Sequence, residues 1–224
     1  GLYLVVLTGL VTVFESILVG IGLRSYSSEV MERFLPYRIG NVQIEVLYYV
    51  PVFCALVISF YKYVMYMVDK SIVIPRIKPR FLYTFNVSFL GVFLYELMIE
   101  PMVVNANFPD WSYVYHDVTL LMSVIWIGIV WSSIIIVDFF WIHWSLLKKY
   151  IAYLFVAGMV SLPIEAWMIN NGFRVYGPSS VANFSGYMIP VLDVPVEVAF
   201  AIPFYLSLVI AFIKYWLLQK DIIN

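Results

Sequence analysis

The chain contains six long apolar stretches, and each is bounded by polar residues, proline or glycine. A bilayer core about 30 Å thick is crossed by a helix of roughly 20 predominantly apolar residues. Each stretch approaches or exceeds that length, so the pattern predicts six membrane-spanning helices. The predicted spans are Leu2–Leu23, Ile44–Val68, Phe81–Val104, Val118–Trp141, Tyr150–Ile169 and Ile189–Leu218.

Composition also indicates a membrane environment. Of the 224 residues, 63% are hydrophobic and 12% are charged, whereas a soluble domain is about half apolar and about a quarter charged. The surplus of apolar side chains must face lipid, so we expect an all-α integral membrane protein with a single transmembrane domain over residues 1–224. The net charge of −1 argues against a nucleic-acid partner, because nucleic-acid-binding surfaces are strongly basic. One cysteine and two histidines are too few for a thiolate metal cluster or for a multi-histidine metal or haem site, and no cofactor is expected.

Lysine and arginine are distributed unevenly between the two sides of the predicted bundle. Nine of the 13 basic residues fall on the side that carries the termini, and four fall on the other side. The positive-inside rule places the more basic side in the cytoplasm. Both termini are therefore predicted to be cytoplasmic.

An internal repeat relates the two ends of the chain. The pattern Glu-Val, Pro, Leu-Val-Ile, Phe and Lys-Tyr begins at Glu45 and recurs from Glu197, at a constant offset of 152 residues. The preceding spans share Glu, Gly, Arg and Tyr at an offset of 150 residues, beginning at Glu15 and Glu165. A loop that is two residues longer in the second copy reconciles the two offsets.

Spacing suggests a weaker third copy in the middle of the chain. In both outer copies the first glutamate stands eleven residues before a tyrosine, Tyr26 or Tyr176. Glu100 likewise stands eleven residues before Trp111. The chain is therefore predicted to form three repeated helical hairpins, at about 1–68, 81–142 and 150–218.

Carboxylates interrupt the apolar stretches. An ionised side chain in hydrocarbon is unfavourable by several kcal/mol, so an intramembrane acid is a candidate functional residue. Acids that share a dry site can keep a proton near neutral pH, which suits general acid and base catalysis. Apart from Asp138, the acids lie in the predicted outer halves of the helices, and they are Glu15, Glu45, Glu96, Glu100, Glu165, Asp193 and Glu197.

Structural roles compete with this interpretation. Glu15 can pair with Arg24, and Glu165 with Arg174, if the loops fold back over separations of nine residues. Glutamates near helix ends can also reach headgroup water. For the set as a whole we favour a functional site, because anchoring does not require acids at matched places in the repeat.

Aromatic residues accompany the acids. Aromatic faces stabilise a cation by cation–π attraction, so part of this set is expected to line a binding pocket. For each residue taken alone, lipid-facing or core packing is the alternative. The candidates are Tyr26, Tyr49, Phe53, Trp111, Tyr176, Phe200, Phe204 and Tyr205.

Two stretches carry a family resemblance. The segment from Glu165 to Tyr176, followed by Val194-Pro195-Val196-Glu197-Val198, resembles the membrane-integral carotenoid cyclases of the heterodimeric or fused lycopene cyclase type. Members of that family show a carboxylate, a short aromatic loop motif and a Pro-x-Glu-Glu element that opens the next helix. The segment from Glu96 to Tyr113 is similar to the acid-x-x-x-acid-Pro and Trp-x-aromatic stretch of the related bisanhydrobacterioruberin hydratases.

The resemblance implies a redox-neutral isomerase that acts on a lipophilic polyene and needs no cofactor. An acid would protonate a terminal double bond, and ring closure with proton loss would quench the cation. By this resemblance Glu197 and Glu165 serve as acid and base. The other catalytic candidates, expected to shape the pocket, are Glu45, Glu15 and Glu100. The expected substrate-binding residues are the aromatic candidates together with Glu96 and Asp193.

Other functions remain open on the sequence alone. A hydratase would use the same acids and quench the cation with water. A transporter or channel would use the repeats and the buried acids for proton or ion coupling. A non-catalytic subunit of a membrane complex would use the acids to bind a partner's basic residues or a pigment. Besides the polyene, the expected partners are membrane lipids and identical or different subunits.

Overall fold

A computed structural model describes residues 2–26, 31, 35–69, 80–99 and 103–223. Six long helices dominate the described residues, and they confirm the expected all-α membrane fold. Within this part of the chain, five of the six are long and apolar enough to cross a membrane, whereas the apolar stretch assigned to α1, Leu4–Gly20, is shorter. The helices are α1 Leu2–Gly20, α2 Val46–Val68, α3 Phe81–Ile99, α4 Leu120–Phe140, α5 Leu146–Asn170 and α6 Val196–Ile223. The cytoplasmic placement of both termini stays a prediction.

Short strands lie in the connections that follow α1, α3 and α5. In the described residues they form four antiparallel pairs, β1–β2, β3–β6, β4–β5 and β7–β8. Their bounds are β1 Arg38–Ile39, β2 Val42–Gln43, β3 Val103–Asn105, β4 Tyr113–Tyr115, β5 Val118–Thr119, β6 Arg174–Tyr176, β7 Met188–Ile189 and β8 Val194–Pro195. We call the end of the bundle that carries these strands the strand end.

Several predicted spans extend too far at the strand end. Val103, Val118 and Val194, which the hydropathy pattern places in spans, lie in strands and are buried. Hydropathy reports burial rather than conformation, so buried strand residues lengthen an apparent span. The helix α4 begins only after Thr119, whose hydroxyl oxygen accepts a hydrogen bond from Met122 N at 3.1 Å and caps the helix.

The helix α6 is central to the bundle. It packs against α2, α3, α4 and α5, and every residue from Leu208 to Lys214 is buried. Gly91 lets α3 approach α6 closely, because a Cβ atom at this position would lie 3.0 Å from the ring of Phe212 on α6. Large apolar side chains such as Val5 and Phe155 cover the outer faces, as expected for helices surrounded by lipid.

The helices α1 and α5 end with the same reversal of the chain. The residue after the turn donates its backbone N–H to the carbonyl five positions earlier, in the bonds Leu23 N to Leu18 O (3.0 Å) and Phe173 N to Met168 O (2.9 Å). Gly22 and Gly172 adopt φ values of 74° and 72° in these turns, a conformation that glycine adopts without strain. Each reversal sends the chain back toward the glutamate of the helix it has just left.

The hairpins β1–β2 and β7–β8 occupy equivalent places in the repeat. The first strands differ by 150 residue numbers and the second strands by 152. Two residues, 40–41, connect β1 to β2, whereas four residues, 190–193, connect β7 to β8. The two-residue difference in loop length that the sequence requires therefore lies in this turn.

Candidate functional site

Glu165 is a buried carboxylate near the strand end of α5. Its Oε1 atom accepts hydrogen bonds from Arg174 Nε at 3.2 Å and from the Tyr176 hydroxyl at 2.7 Å. Only 1% of the Glu165 side chain and 4% of the Arg174 side chain are exposed. The turn at Gly172 makes this pair possible, because it directs β6 back along α5 and closes the nine-residue separation.

Asn105 connects this ion pair to the middle hairpin. It stands opposite Arg174 in the β3–β6 ladder, and its Oδ1 atom accepts a hydrogen bond from Arg174 Nη1 at 2.7 Å. Asn105 is held in turn by two contacts. Its Nδ2 donates to Asp117 O at 2.7 Å, and its carbonyl accepts from the Tyr113 hydroxyl at 2.9 Å. The buried guanidinium therefore has partners from two hairpins.

Burial and charge set the ionisation of the two β6 residues. Burial, reinforced by the neighbouring Glu165 carboxylate, raises the pKa of Tyr176 well above its usual value, so the phenol stays protonated and donates. Burial opposes the charge on Arg174, but the Glu165 carboxylate outweighs it and raises the pKa of the guanidinium. Glu165 is thus held between a permanent cation and a neutral donor.

A pocket of about 160 Å³ opens beside Glu165. A single water needs roughly 10–15 Å³, so the pocket can hold a much larger group. Its charged lining residues all belong to the strand end, and they are Glu165, Arg174 and Glu197. Most of the other lining residues are apolar or aromatic and come from α3, α4 and α6, among them Val92, Trp126, Val130, Ile202, Tyr205 and Leu206.

Glu197 lines the same pocket from the first turn of α6. Its Oε1 atom accepts a hydrogen bond from Ser185 N at 2.6 Å, so the carboxylate also fixes the loop that precedes β7. In that loop Phe184 packs edge-on against Tyr176, with 5.7 Å between the ring centroids. The Oε2 atoms of Glu197 and Glu165 have no hydrogen-bond partner among the described residues. Two carboxylates, each with one unpartnered oxygen, therefore share one pocket.

Glu96 lies at the strand end of α3, just behind the pocket wall. Only 1% of it is exposed, and Arg174 and Glu165 both act on it electrostatically. Its Oε1 atom has no hydrogen-bond partner in the described part of the chain. The adjacent Tyr95 lines the pocket, where its ring centroid lies 5.4 Å from that of Tyr205.

The first hairpin repeats this arrangement away from the pocket. Arg24 Nε lies 3.0 Å from Glu15 Oε2, and 51% of the Arg24 side chain is exposed. The Arg24 guanidinium also lies 5.9 Å from the centre of the Tyr26 ring. Glu45 accepts a hydrogen bond from Leu35 N at 2.6 Å. Its equivalent in α6, Glu197, accepts one from Ser185 N in the same way. The pocket is lined by residues from α3 onward, so Glu15, Glu45 and Tyr26 do not reach it.

The structure places several predicted substrate-binding residues on the surface. Phe53, Phe200 and Phe204 are each more than half exposed on helix faces, where lipid would surround them. Trp111 is 70% exposed in a short 3₁₀ turn. Asp193 is exposed in the turn between β7 and β8.

Two further candidates are placed differently. Tyr49 is half-buried near the start of α2, where its ring centroid lies 4.3 Å from that of Tyr48. Glu100 lies outside the described residues. The pocket therefore brings together Glu165, Glu197, Tyr176 and Tyr205, with Glu96 behind its wall, while the roles assigned to all these residues stay predictions.

The sequence indicated only a structural role for Arg174 and did not single out Asn105 or Trp126 as site residues. A usable signal existed for Arg174 and Asn105. Glu96 stands nine residues before Asn105, the same spacing as between Glu165 and Arg174. By this spacing Glu96 corresponds to Glu165, whereas the eleven-residue spacing to Trp111 aligns Glu100 with Glu165. Nothing in the sequence singles out Trp126 among the seven tryptophans.

A second group of buried charges lies at the opposite end of the bundle. It contains Asp138, the acid that the sequence pattern places apart from the outer halves of the helices. Its carboxylate accepts hydrogen bonds from Lys214 Nζ at 2.6 Å, from Lys149 Nζ at 3.4 Å and from the Tyr153 hydroxyl. These contacts join α4, α5 and α6 and give Asp138 a structural role.

Searches of protein-family models, of curated proteins and of solved structures found no match to this chain.

Proposed function

We propose that this protein is an acid–base catalyst that cyclises the end group of a lipophilic polyene within the membrane. The observation that carries the proposal is the placement of Glu165 and Glu197 on one pocket whose remaining walls are largely apolar and aromatic. Two carboxylates at the end of an apolar pocket suit proton transfer to and from a hydrocarbon. The resemblance to carotenoid cyclases, which rests on Glu165 to Tyr176 and on Glu197, supports the same chemistry.

The extent of the pocket along α6 supports a chain-like substrate. Its α6 lining runs from Glu197 to Val209, and twelve helical rises of 1.5 Å each give a length of about 18 Å. The acids stand at the strand end of the pocket, and the lining along the rest of α6 is apolar or aromatic. A polyene would therefore place its terminal double bond beside the acids and its chain along α6.

The reaction conserves atoms and electrons. A carboxylic acid gives its proton to one carbon of the terminal double bond, so a C–H bond forms and the other carbon becomes a cation. A second double bond of the chain attacks this cation and closes the ring. A carboxylate then removes a proton from the ring, which restores a double bond, so the product is an isomer of the substrate. Glu197 and Glu165 share these two roles, and Tyr95, Trp126 and Tyr205 offer aromatic faces to the cation.

Arg174 and Tyr176 serve this chemistry indirectly. They hold Glu165 Oε1 from two directions, so the carboxylate keeps one orientation while its other oxygen remains unpartnered among the described residues. Preorganised groups accelerate proton transfer because the site does not have to rearrange during the reaction.

Expression in a cell that accumulates lycopene tests the proposal. Chromatography of the extracted pigments is expected to show ring-bearing products with the wild-type protein. Glu165→Gln and Glu197→Gln should abolish them, because an amide cannot exchange the proton. Asp110→Asn is the matched control, since Asp110 is an exposed acid of a strand-end loop and its variant should retain full conversion.

Other product patterns have definite meanings. Hydroxylated products would assign hydration instead, in which water quenches the same cation. Unchanged lycopene in membranes that contain folded wild-type protein would contradict the proposal.

A further inference from the structure

Three ionisable side chains are buried together at the pocket, where Glu165 and Arg174 line the wall and Glu96 lies behind it. Glu96 and Glu165 are each 1% exposed and Arg174 is 4% exposed. Arg174 contacts Glu165 directly and also acts electrostatically on Glu96. If both acids were ionised, this cluster would carry two negative charges against one positive charge.

The contacts of the cluster are distributed unequally between the two acids. Glu165 receives hydrogen bonds from Arg174 and Tyr176. The Nη1 atom of Arg174 donates to Asn105. Glu96 forms no ion pair within the described residues, and its Oε1 atom has no hydrogen-bond partner there. An unpaired buried carboxylate is strongly unfavourable, whereas a protonated carboxyl group is tolerated.

We propose that the cluster retains one proton in its resting state and that this proton resides on Glu96. Among the described residues, the side chains of Tyr95, Tyr176 and Asn105 also act on the cluster, and all three are neutral. None of these supplies a second positive charge. The proton then leaves the cluster with a net charge of zero, because the Glu165 carboxylate balances Arg174.

Glu96 would act as a positioning residue that stores a proton. It does not line the pocket, so it cannot protonate a substrate directly. Its O–H bond would break as an O–H bond forms on Glu165, which does line the pocket and would deliver the proton to the double bond. This use of the proton rests on the proposed function, whereas its location on Glu96 does not.

Infrared spectroscopy of the purified protein near neutral pH tests the location of the proton. A protonated carboxyl group has a C=O stretching band, separate from carboxylate bands, that shifts in D₂O. The wild-type spectrum is expected to contain such a band that disappears in Glu96→Gln. The glutamine variant should still fold, because its side chain is neutral and matches the protonated glutamate in shape.

A second variant makes the test independent of Glu96→Gln. In Glu165→Gln the side chain of Glu96 is unchanged, but Arg174 has lost its ionised partner. Glu96 should then ionise opposite Arg174, and the same band should disappear. Asp110→Asn should leave the band at full intensity.

Two results would overturn the inference. One is a wild-type spectrum without a band that Glu96→Gln removes. Another is a band that persists in Glu165→Gln, because the proton would then not depend on the shared guanidinium. The bands are measured without turnover, so they separate this inference from the proposed function. The expected bands without pigment conversion would uphold the stored proton and reject the cyclase, and conversion without the bands would do the reverse.

Discussion

Asn105 and Arg174 stand opposite each other in the β3–β6 ladder, and Arg174 Nη1 donates a 2.7 Å hydrogen bond to Asn105 Oδ1. This bond links the middle hairpin to the third. Because Arg174 also pairs with Glu165, the link between hairpins is part of the acid site. Assembly of the bundle and orientation of the acid therefore depend on the same few atoms.

Asn105→Ala should destabilise the protein. Asn105 is 4% exposed, and its loss leaves a buried guanidinium donor without an acceptor, which costs about 1–3 kcal/mol. Unfolding in mild detergent, followed by circular dichroism, measures the change. Asn171→Ala is the matched control, since it removes only an exposed hydrogen bond to Trp167 O and should change stability by less than about 0.5 kcal/mol. Equal stability of the two variants would refute the role given to Asn105.

The two related ion pairs should differ in strength. Arg174→Gln leaves Glu165 buried without its cation and is expected to cost about 3–5 kcal/mol. The equivalent change in the first hairpin, Arg24→Gln, breaks a pair whose arginine is half exposed and should cost about 0–1 kcal/mol. Unfolding curves of both variants provide the comparison.

A double variant separates the pair from its surroundings. Glu165→Gln combined with Arg174→Gln removes both charges, so it should be less destabilised than Arg174→Gln alone. If the double variant is less stable than Arg174→Gln alone, the charges of Glu165 and Arg174 do not balance each other in the folded protein.

Ala201→Phe should block the pocket without altering the acids. Ala201 lines the pocket on α6, and a phenylalanine there would occupy space that the proposed substrate requires. The steric conflict between the phenylalanine ring and a bound polyene should weaken polyene affinity by at least about tenfold, which is about 1.4 kcal/mol. Quenching of tryptophan fluorescence by a bound polyene measures the affinity. Phe155→Ala, on an exposed face of α5, should bind as the wild type does, and an unaffected Ala201→Phe protein would place the ligand elsewhere.

Alkaline pH should weaken the fold through Tyr176. Its pKa in the folded protein is raised, first by burial and then by Glu165, above the unfolded value of about 10. The folded state therefore retains the proton longer than the unfolded state. Stability from this group is complete below about pH 10 and falls as the pH rises toward the folded pKa.

The phenylalanine variant provides the test of this pH dependence. Tyr176→Phe lacks the titrating group, so its stability should decline less between about pH 9 and about pH 11 than that of the wild type. Unfolding measured across this range compares the two proteins. Parallel declines would contradict the shift assigned to Tyr176.

The sequence predicted the helices and the position of the acids along them, because both depend on local patterns. A span is recognised from about 20 apolar residues, and a charged residue within it stands out whatever surrounds it. The repeat was equally visible, because Glu15, Arg24 and Tyr26 recur at a fixed offset as Glu165, Arg174 and Tyr176.

The lining of the pocket could not be derived in the same way. A transmembrane helix is apolar on every face, so periodicity does not distinguish a core-facing ring from a lipid-facing one. Phe200 and Phe204 therefore looked equivalent to Tyr205, although only Tyr205 among them lines the pocket. The β3–β6 ladder joins residues about 70 positions apart, and short strands of two or three residues leave no periodic signal.

The proposed chemistry requires one end of a polyene to lie between Glu165 and Glu197. A structure of the protein bound to lycopene in lipid nanodiscs would show whether it does. We expect elongated density that begins between the two carboxylates and follows α6 past Ile202 and Leu206. Density confined to the lipid-facing surface near Phe200 and Phe204, with the pocket filled by water alone, would contradict the account.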